Sequence, residues 1–179
     1  MQPVFILTGP PAVGKSTTSK ALASKFSRSI HIPVDDIRDR VVSGLVLPNP
    51  EWSPELVQQI SLARESAIYM ARTYQRAGFA VVIDDFVDPR QLSEYQTFPI
   101  DSRVHKFVLY PNQAIAHTRN YQRAGDGPAR AYIDEGIHFV YEQLNLMKEA
   151  LQKDGWIVLD TTELGIEDTV SEILKHSSA

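Results

Sequence analysis

Cysteine is absent from the 179 residues, which excludes disulfides, thiolate zinc sites and a cysteine nucleophile. Long hydrophobic runs are missing as well: no stretch approaches the ~18 apolar residues that a membrane-crossing helix needs. Positive charge is not in excess. Lys and Arg number 18 against 22 Asp and Glu, a formal net charge of -4, which poorly suits a protein that coats nucleic acid. The opening Met1-Gln2-Pro3-Val4-Phe5-Ile6-Leu7-Thr8 has neither the basic start nor the apolar length of a secretion signal, so a cytoplasmic protein without a membrane partner is expected. What is present is ordinary globular composition, 43% hydrophobic and 22% charged, and the length fits a single domain over residues 1–179.

Val4 to Thr8 is continuously apolar and ends at Gly9-Pro10-Pro11, the pattern of a strand covered on both faces. Further strands are expected at Ile30–Val34, Phe79–Ile83, Val104–Tyr110 and Trp156–Leu159. Helices are expected at Lys15–Phe26, Ile37–Ser43, Pro54 to about Gly78, Pro89–Tyr95, Pro111–Arg123 and Ile166–Lys175. Ser53-Pro54 supplies an N-cap and a first-position proline for the longest of the early helices. Ala124-Gly125-Asp126-Gly127-Pro128 is rich in breakers and reads as a mobile loop. Beyond it Ile133, Ile137, Val140, Leu144, Met147 and Leu151 recur at helical spacing, a stripe for packing on the same domain or for a dimer seam. Strands alternating with helices give an α/β fold with a parallel sheet.

Gly9-Pro10-Pro11-Ala12-Val13-Gly14-Lys15-Ser16 fits G-x-x-x-x-G-K-[ST], placed between an expected strand and an expected helix. Glycines let such a loop curl so that successive N–H groups face phosphate oxygens, and the helix dipole adds to the attraction. Lys15 then supplies a cation to the β- and γ-phosphates, Ser16 a hydroxyl to Mg²⁺, and Thr17 either an α-phosphate contact or a plain first-turn residue. Ligands gather at the carboxyl ends of parallel strands, where Asp35-Asp36 and Asp84-Asp85 both fall. Asp35 is assigned as general base and Asp36 as helix cap, the reverse remaining open. Asp84 is assigned to the metal and Asp85 to the acceptor, and these two are also interchangeable from sequence.

Arg119 and Arg123 lie four apart on the helix entering the breaker-rich loop, with Arg130 beyond it, so residues 119–130 read as a lid carrying arginines to the phosphates. A solvated helix face is the plainer reading of the same residues. Arg38, one turn from Asp35, either reaches an anionic group on the acceptor or sits on the surface. The five histidines read as structural or surface residues, and Trp52 as a satellite core contact or a wall of the acceptor pocket.

These elements resemble the small P-loop kinases, above all the 5′-hydroxyl kinase domain of the phage polynucleotide kinase type. The resemblance rests on Gly9–Thr17, Asp35-Asp36-Ile37-Arg38, Ile83-Asp84-Asp85-Phe86-Val87-Asp88-Pro89 and Arg119-Asn120-Tyr121-Gln122-Arg123, within residues 4–125. It implies a five-stranded sheet in order 2-3-1-4-5, Asp35 as base, Arg123 as lid arginine, and Arg38 and Asp85 at the acceptor side. It further implies Arg119 near the nucleotide and the loop after Asp160-Thr161-Thr162 near adenine. Chloramphenicol phosphotransferase and the gluconate and shikimate kinases share the loop and the first aspartate. The expectation is therefore an ATP- and Mg²⁺-dependent phosphotransferase acting on a hydroxyl of a small molecule, as a monomer or homodimer. The alternatives are a polynucleotide 5′-hydroxyl kinase and a non-catalytic ATP-binding switch. Acidic charge and the lack of aromatic residues interleaved with a basic run count against the nucleic-acid acceptor.

Overall fold

The structure, a computed structural model, describes residues 1–48, 52–86, 93–98 and 103–177. Five strands, β1 (Val4–Thr8), β2 (Ser29–Pro33), β3 (Ala80–Asp84), β4 (Val104–Leu109) and β5 (Trp156–Leu159), form one parallel sheet in the order β2-β3-β1-β4-β5. That is the expected order. Successive strand side chains point to opposite faces, so a strand covered on both sides has apolar residues at every position. β1 shows it: Val4 and Ile6 enter one core, Phe5 and Leu7 the other, and all four are buried.

Helices cover both faces. On one side lies α3 (Pro54–Arg76), which packs Ala63, Ala67, Ile68 and Ala71 against Ile6, Val81 and Ile83. Ser53 caps it by accepting from the Leu56 N–H at 3.2 Å. On the other side α1 (Lys15–Ala23) and α6 (Ile166–Ser177) bring Leu22, Val170 and Ile173 against Phe5, Leu7 and Val82. α4 (Gln113–Ala124) lies beside α5 (Pro128–Lys153), whose stripe Ile137, Val140, Leu144 and Leu151 is buried in this chain's own cores. Among the described residues no helix is long and apolar enough to cross a membrane.

Several expected boundaries change. Helix α2 is Val34–Arg38 rather than Ile37–Ser43, because strand β2 runs directly into it through Pro33, whose φ of -73° suits a helix entry. The helix after β4 starts at Gln113 rather than Pro111, since Asn112 caps it by accepting from the Ala114 N–H at 2.9 Å. The breaker-rich loop shrinks to residues 125–127: α4 runs to Ala124 and α5 begins at Pro128, a residue favoured at the first helical position. Of the helix expected at Pro89–Tyr95, most falls outside the described residues, and a 3-10 turn spans Ser93–Thr97.

Candidate active site

The sheet sets the site's layout. β1 lies between β3 and β4, and the register pairs Leu7 with Asp84 and Pro33 with Asp84. The glycine-rich loop after Thr8, the acidic end of β3 and the start of α2 therefore meet at one edge.

The loop itself is built from backbone. Gly9 has φ +149°, and a Cβ there would meet the Leu109 carbonyl oxygen at 2.4 Å, so glycine is required by contact as well as by dihedral. Ala12 and Gly14 have positive φ of 62° and 96°, giving the alternating hand that turns successive N–H groups inward. Gly14 is the N-cap of α1 and offers no side-chain cap, while the first helical bond is Thr18 N–H to the Gly14 carbonyl at 3.0 Å. The N–H groups of Lys15, Ser16 and Thr17 are consequently left for a ligand by the helix ladder. Lys15 Nζ lies in the loop's concavity, donating to the Gly9 and Pro10 carbonyls at 3.0 and 2.9 Å. Burial pulls this ammonium below the usual lysine range, against the opposing charges of Asp35, Asp84 and Asp85. Ser16 and Thr17 are exposed on the first turn of α1.

Asp35, in the first turn of α2, is open to solvent, and its charge acts on Lys15 more than any other does. Surrounding protein raises its carboxyl above the usual aspartate range, and the nearby charge of Asp85 adds to the effect, against Lys15 and Arg38. Asp36 does not cap α2: Pro33 occupies the cap, and Asp35 and Asp36 both lie in the first turn, where the helix dipole favours them. Asp36 is exposed.

The second acidic pair divides. Asp84 Oδ2 accepts from His31 Nε2 of β2 at 2.6 Å, and both side chains are nearly buried. Asp85 is 1% exposed, beneath the cleft surface. Its Oδ2 accepts from Arg64 Nε at 2.6 Å and from the Tyr95 hydroxyl at 2.7 Å, while Oδ1 has no partner. Arg64 is wholly buried; its Nη1 lies 3.6 Å from Glu94 Oε2, and its Nη2 donates to the Phe86 carbonyl at 3.2 Å. Burial opposes the Arg64 charge, but Asp85, Tyr95 and Glu94 outweigh it and hold the guanidinium charged. Burial and Asp85 together push the Tyr95 hydroxyl well up.

Arg38 is a buried residue rather than a surface one, 9% exposed, with Nε and Nη1 lacking a hydrogen-bond partner among the described residues. Its Nη2 stands 4.0 Å from Asp39 Oδ1. The Tyr132 ring system of α5 lies close enough for Arg38 to act on its hydroxyl, which bonds the Pro48 carbonyl. Trp52 stacks on Phe86, ring centroids 5.8 Å apart and planes 9° off parallel.

One arginine of α4 contacts the loop. Arg119 Nη1 donates to the Val13 carbonyl at 2.9 Å. Arg123 is exposed, and its charge acts on Lys15. Arg130 instead turns inward on its own corner, pairing with Asp126 at 2.6 Å and Asp134 at 3.3 Å and lying over the Tyr121 ring. The loop after β5 is tied to the same region, with Thr162 Oγ1 accepting from the Asn112 N–H at 2.7 Å.

Among the described residues no three His, Asp or Glu side chains converge into a metal cage. Mg²⁺ seldom needs one, because it retains waters and takes phosphate oxygens beside one or two protein ligands. An exposed hydroxyl at Ser16 and a carboxylate at Asp84 with one oxygen outside the His31 pair fit that mode of binding.

A family model described as an AAA domain matches residues 4–153. The chain belongs to this family. Among solved structures, this AAA-domain chain is similar to shikimate kinase from Bacteroides thetaiotaomicron, with 17% identity, a TM-score of 0.68, and 99% of each chain covered. It is also similar to the tunicamycin resistance protein of Deinococcus radiodurans, at 17% identity and a TM-score of 0.67, covering 98% of this chain and 95% of that one. A gluconokinase from Sinorhizobium meliloti 1021 aligns at 14% identity and a TM-score of 0.61, covering 98% and 91%. Identities this low show the fold, that of the small P-loop kinases. Curated proteins give no sequence match.

Sequence reasoning missed His31, Arg64, Tyr95, Asn120, Tyr132 and Asp134. For Arg64 a signal existed. It stands four residues after Ile60 and four before Ile68, in the middle of the apolar stripe of α3, and all three are buried. A charge in such a stripe demands a buried partner.

Proposed function

We propose that this chain transfers the γ-phosphoryl group of ATP, with Mg²⁺, to a hydroxyl of a small anionic molecule, acting as one catalytic domain with a lid at residues 119–130. The observation that carries the reading is the placement of the half-buried Lys15, held by the Gly9 and Pro10 carbonyls, and of the solvent-open Asp35 in the first turn of α2 at the same edge of the sheet. The surrounding protein raises the Asp35 carboxyl above the usual aspartate range, the direction that suits a base. Asp35 takes the acceptor's hydroxyl proton; the acceptor oxygen bonds to the γ-phosphorus as the bond to the bridging oxygen breaks, and ADP leaves. Lys15 and the loop amides of Gly9–Thr17 hold the phosphates, and Arg119 stays against the loop. Arg123 neutralises charge on the transferring group. Mg²⁺, held by Ser16 and Asp84, would supply further neutralisation of the phosphate oxygens. Arg38, buried with Nε and Nη1 unmatched among the described residues and only a 4.0 Å ion pair from Nη2 to Asp39, is the reason for an anionic acceptor, since buried guanidinium donors left without acceptors are costly. Asp85 acts from below through its charge on Asp35 rather than by touching the acceptor.

The test is transfer of label from γ-labelled ATP to a panel of phosphorylated and carboxylated alcohols, beside a 5′-hydroxyl oligonucleotide. Label should reach a small anionic alcohol, and Asp35→Asn should still bind ATP while transfer falls ~10²–10⁴-fold. Salt-sensitive labelling of the oligonucleotide alone would replace this reading with a polynucleotide kinase. ATP binding with no acceptor labelled would leave a nucleotide-dependent switch.

A further inference from the structure

The corner between α4 and α5 combines a small apolar contact, Ala116 in one core with Ile137, with a cluster of polar contacts. α4 buries only Ala116 and Asn120, so few side chains set its orientation. Asp134 of α5 gathers the polar contacts among them. Its Oδ1 accepts from Asn120 Nδ2 at 2.9 Å and lies 2.8 Å from His117 Nδ1, while its Oδ2 accepts from Arg130 Nε at 3.3 Å. Asn120, fully buried, also donates to the Arg130 carbonyl at 3.1 Å. The Asn120 bond first and the His117 bond second hold the Asp134 carboxyl below the usual aspartate range, so it is charged in this setting.

His117 and Asn120 occupy one face of α4, and Arg119 and Arg123 another, about a third of a turn round. Fixing the first face sets the direction of the second. That second face meets the phosphate-binding loop: Arg119 bonds the Val13 carbonyl and the charge of Arg123 reaches Lys15. We propose that Asp134 is a positioning residue that aims Arg123 at the transferring phosphoryl group. The lid is thus a pinned arm whose aim is set from α5. The inference rests on the assignment of Arg123 above.

A double-mutant cycle tests it, with kcat and KM for MgATP measured on wild type, Arg123→Ala, Asp134→Ala and the double variant. Arg123→Ala should lower kcat ~10²–10³-fold. Asp134→Ala should lower kcat about tenfold, through misplacement of the arginine, yet change it less than about twofold when Arg123 is already alanine. Amide exchange of residues 117–124 in the nucleotide-free protein should quicken in Asp134→Ala and not in Arg123→Ala. Asp134→Asn keeps an oxygen for His117 and Asn120 and should retain kcat within about threefold; if the alanine protein fails to fold, Asn120→Ala, which removes the first of the bonds on Asp134, takes its place in the cycle and the exchange experiment, with the same outcomes expected. Equal losses from Asp134→Ala with and without Arg123 would overturn the proposal, as would an Asp134→Ala enzyme of wild-type kcat. If Arg123→Ala itself turns over normally, the assignment of Arg123 falls and this inference with it.

Discussion

The phosphate-binding loop presents main-chain groups from a contiguous run, Gly9 to Thr17, whereas the floor beneath the acceptor side is made of side chains carried in from separate elements. Arg64 comes from α3, Asp85 from the end of β3, and Tyr95 and Glu94 from the 3-10 turn. The loop is specified by backbone conformation, for which glycines at fixed spacing suffice. The floor is a buried, charged cluster, stable only while each charge keeps its partner. Two halves of one cleft thus respond to substitution in opposite ways: the loop through function, the floor through folding.

The sharpest way to break that contrast is Arg64→Met. It strands Asp85 in the core and should cost about 3–5 kcal/mol of stability, read from the urea midpoint. The double variant Arg64→Met/Asp85→Leu should recover much of the loss, because removing both charges leaves nothing uncompensated. If the single variant melts with wild type, the floor is not a stability element. Lys15→Ala should do the reverse: kcat/KM for ATP falls ~10²–10³-fold while the melting temperature does not fall, since a desolvated ammonium has been removed. Arg38→Ala should weaken acceptor binding by about 1.5–3 kcal/mol and leave the KM for ATP unchanged; a matched rise in both would place Arg38 on the donor side.

The smallest effect is a pH shift. Asp35 must be ionised to act as a base, and its raised pKa puts the acid limb of the kcat/KM profile above the ordinary aspartate range. Asp85→Asn removes the largest like charge acting on Asp35 and should move that limb to lower pH, at a stability cost of its own because Arg64 loses its ionised partner. The linkage has the same sign: a carboxyl whose pKa rises on folding favours the native state when protonated and opposes it as pH climbs through the folded value. Asp35→Asn should therefore melt higher than wild type at neutral pH, with the gap closing in acid.

How much of this was legible follows from distance along the chain. The strands and the loop could be read because β1 and β3 are continuously apolar and the loop motif is local, while the sheet order came from the resemblance to the small P-loop kinases. Asp35 could be placed because it follows β2 directly. The Asp36 cap was wrong because strand and helix share Pro33 with no linker between them. Arg64 and Asp85 are 21 residues apart, and Asn120 and Asp134 are 14 apart across a helix corner, so their pairing depends on packing that no local pattern encodes. Ala124–Pro128 was read as a mobile loop because Gly125 and Gly127 are strong breakers. They end one helix and open the next, and the two are then joined by Asp134 with Asn120 and His117.

The account turns on where the Asp35 carboxyl lies relative to the phosphoryl group in flight. A crystal structure with ADP, Mg²⁺, aluminium fluoride and the identified acceptor would show it. The account predicts an Asp35 oxygen within about 3 Å of the acceptor oxygen, in line with the metal fluoride on the Gly9–Thr17 loop. An Asp35 side chain turned to solvent, with another group or none beside that oxygen, would contradict it.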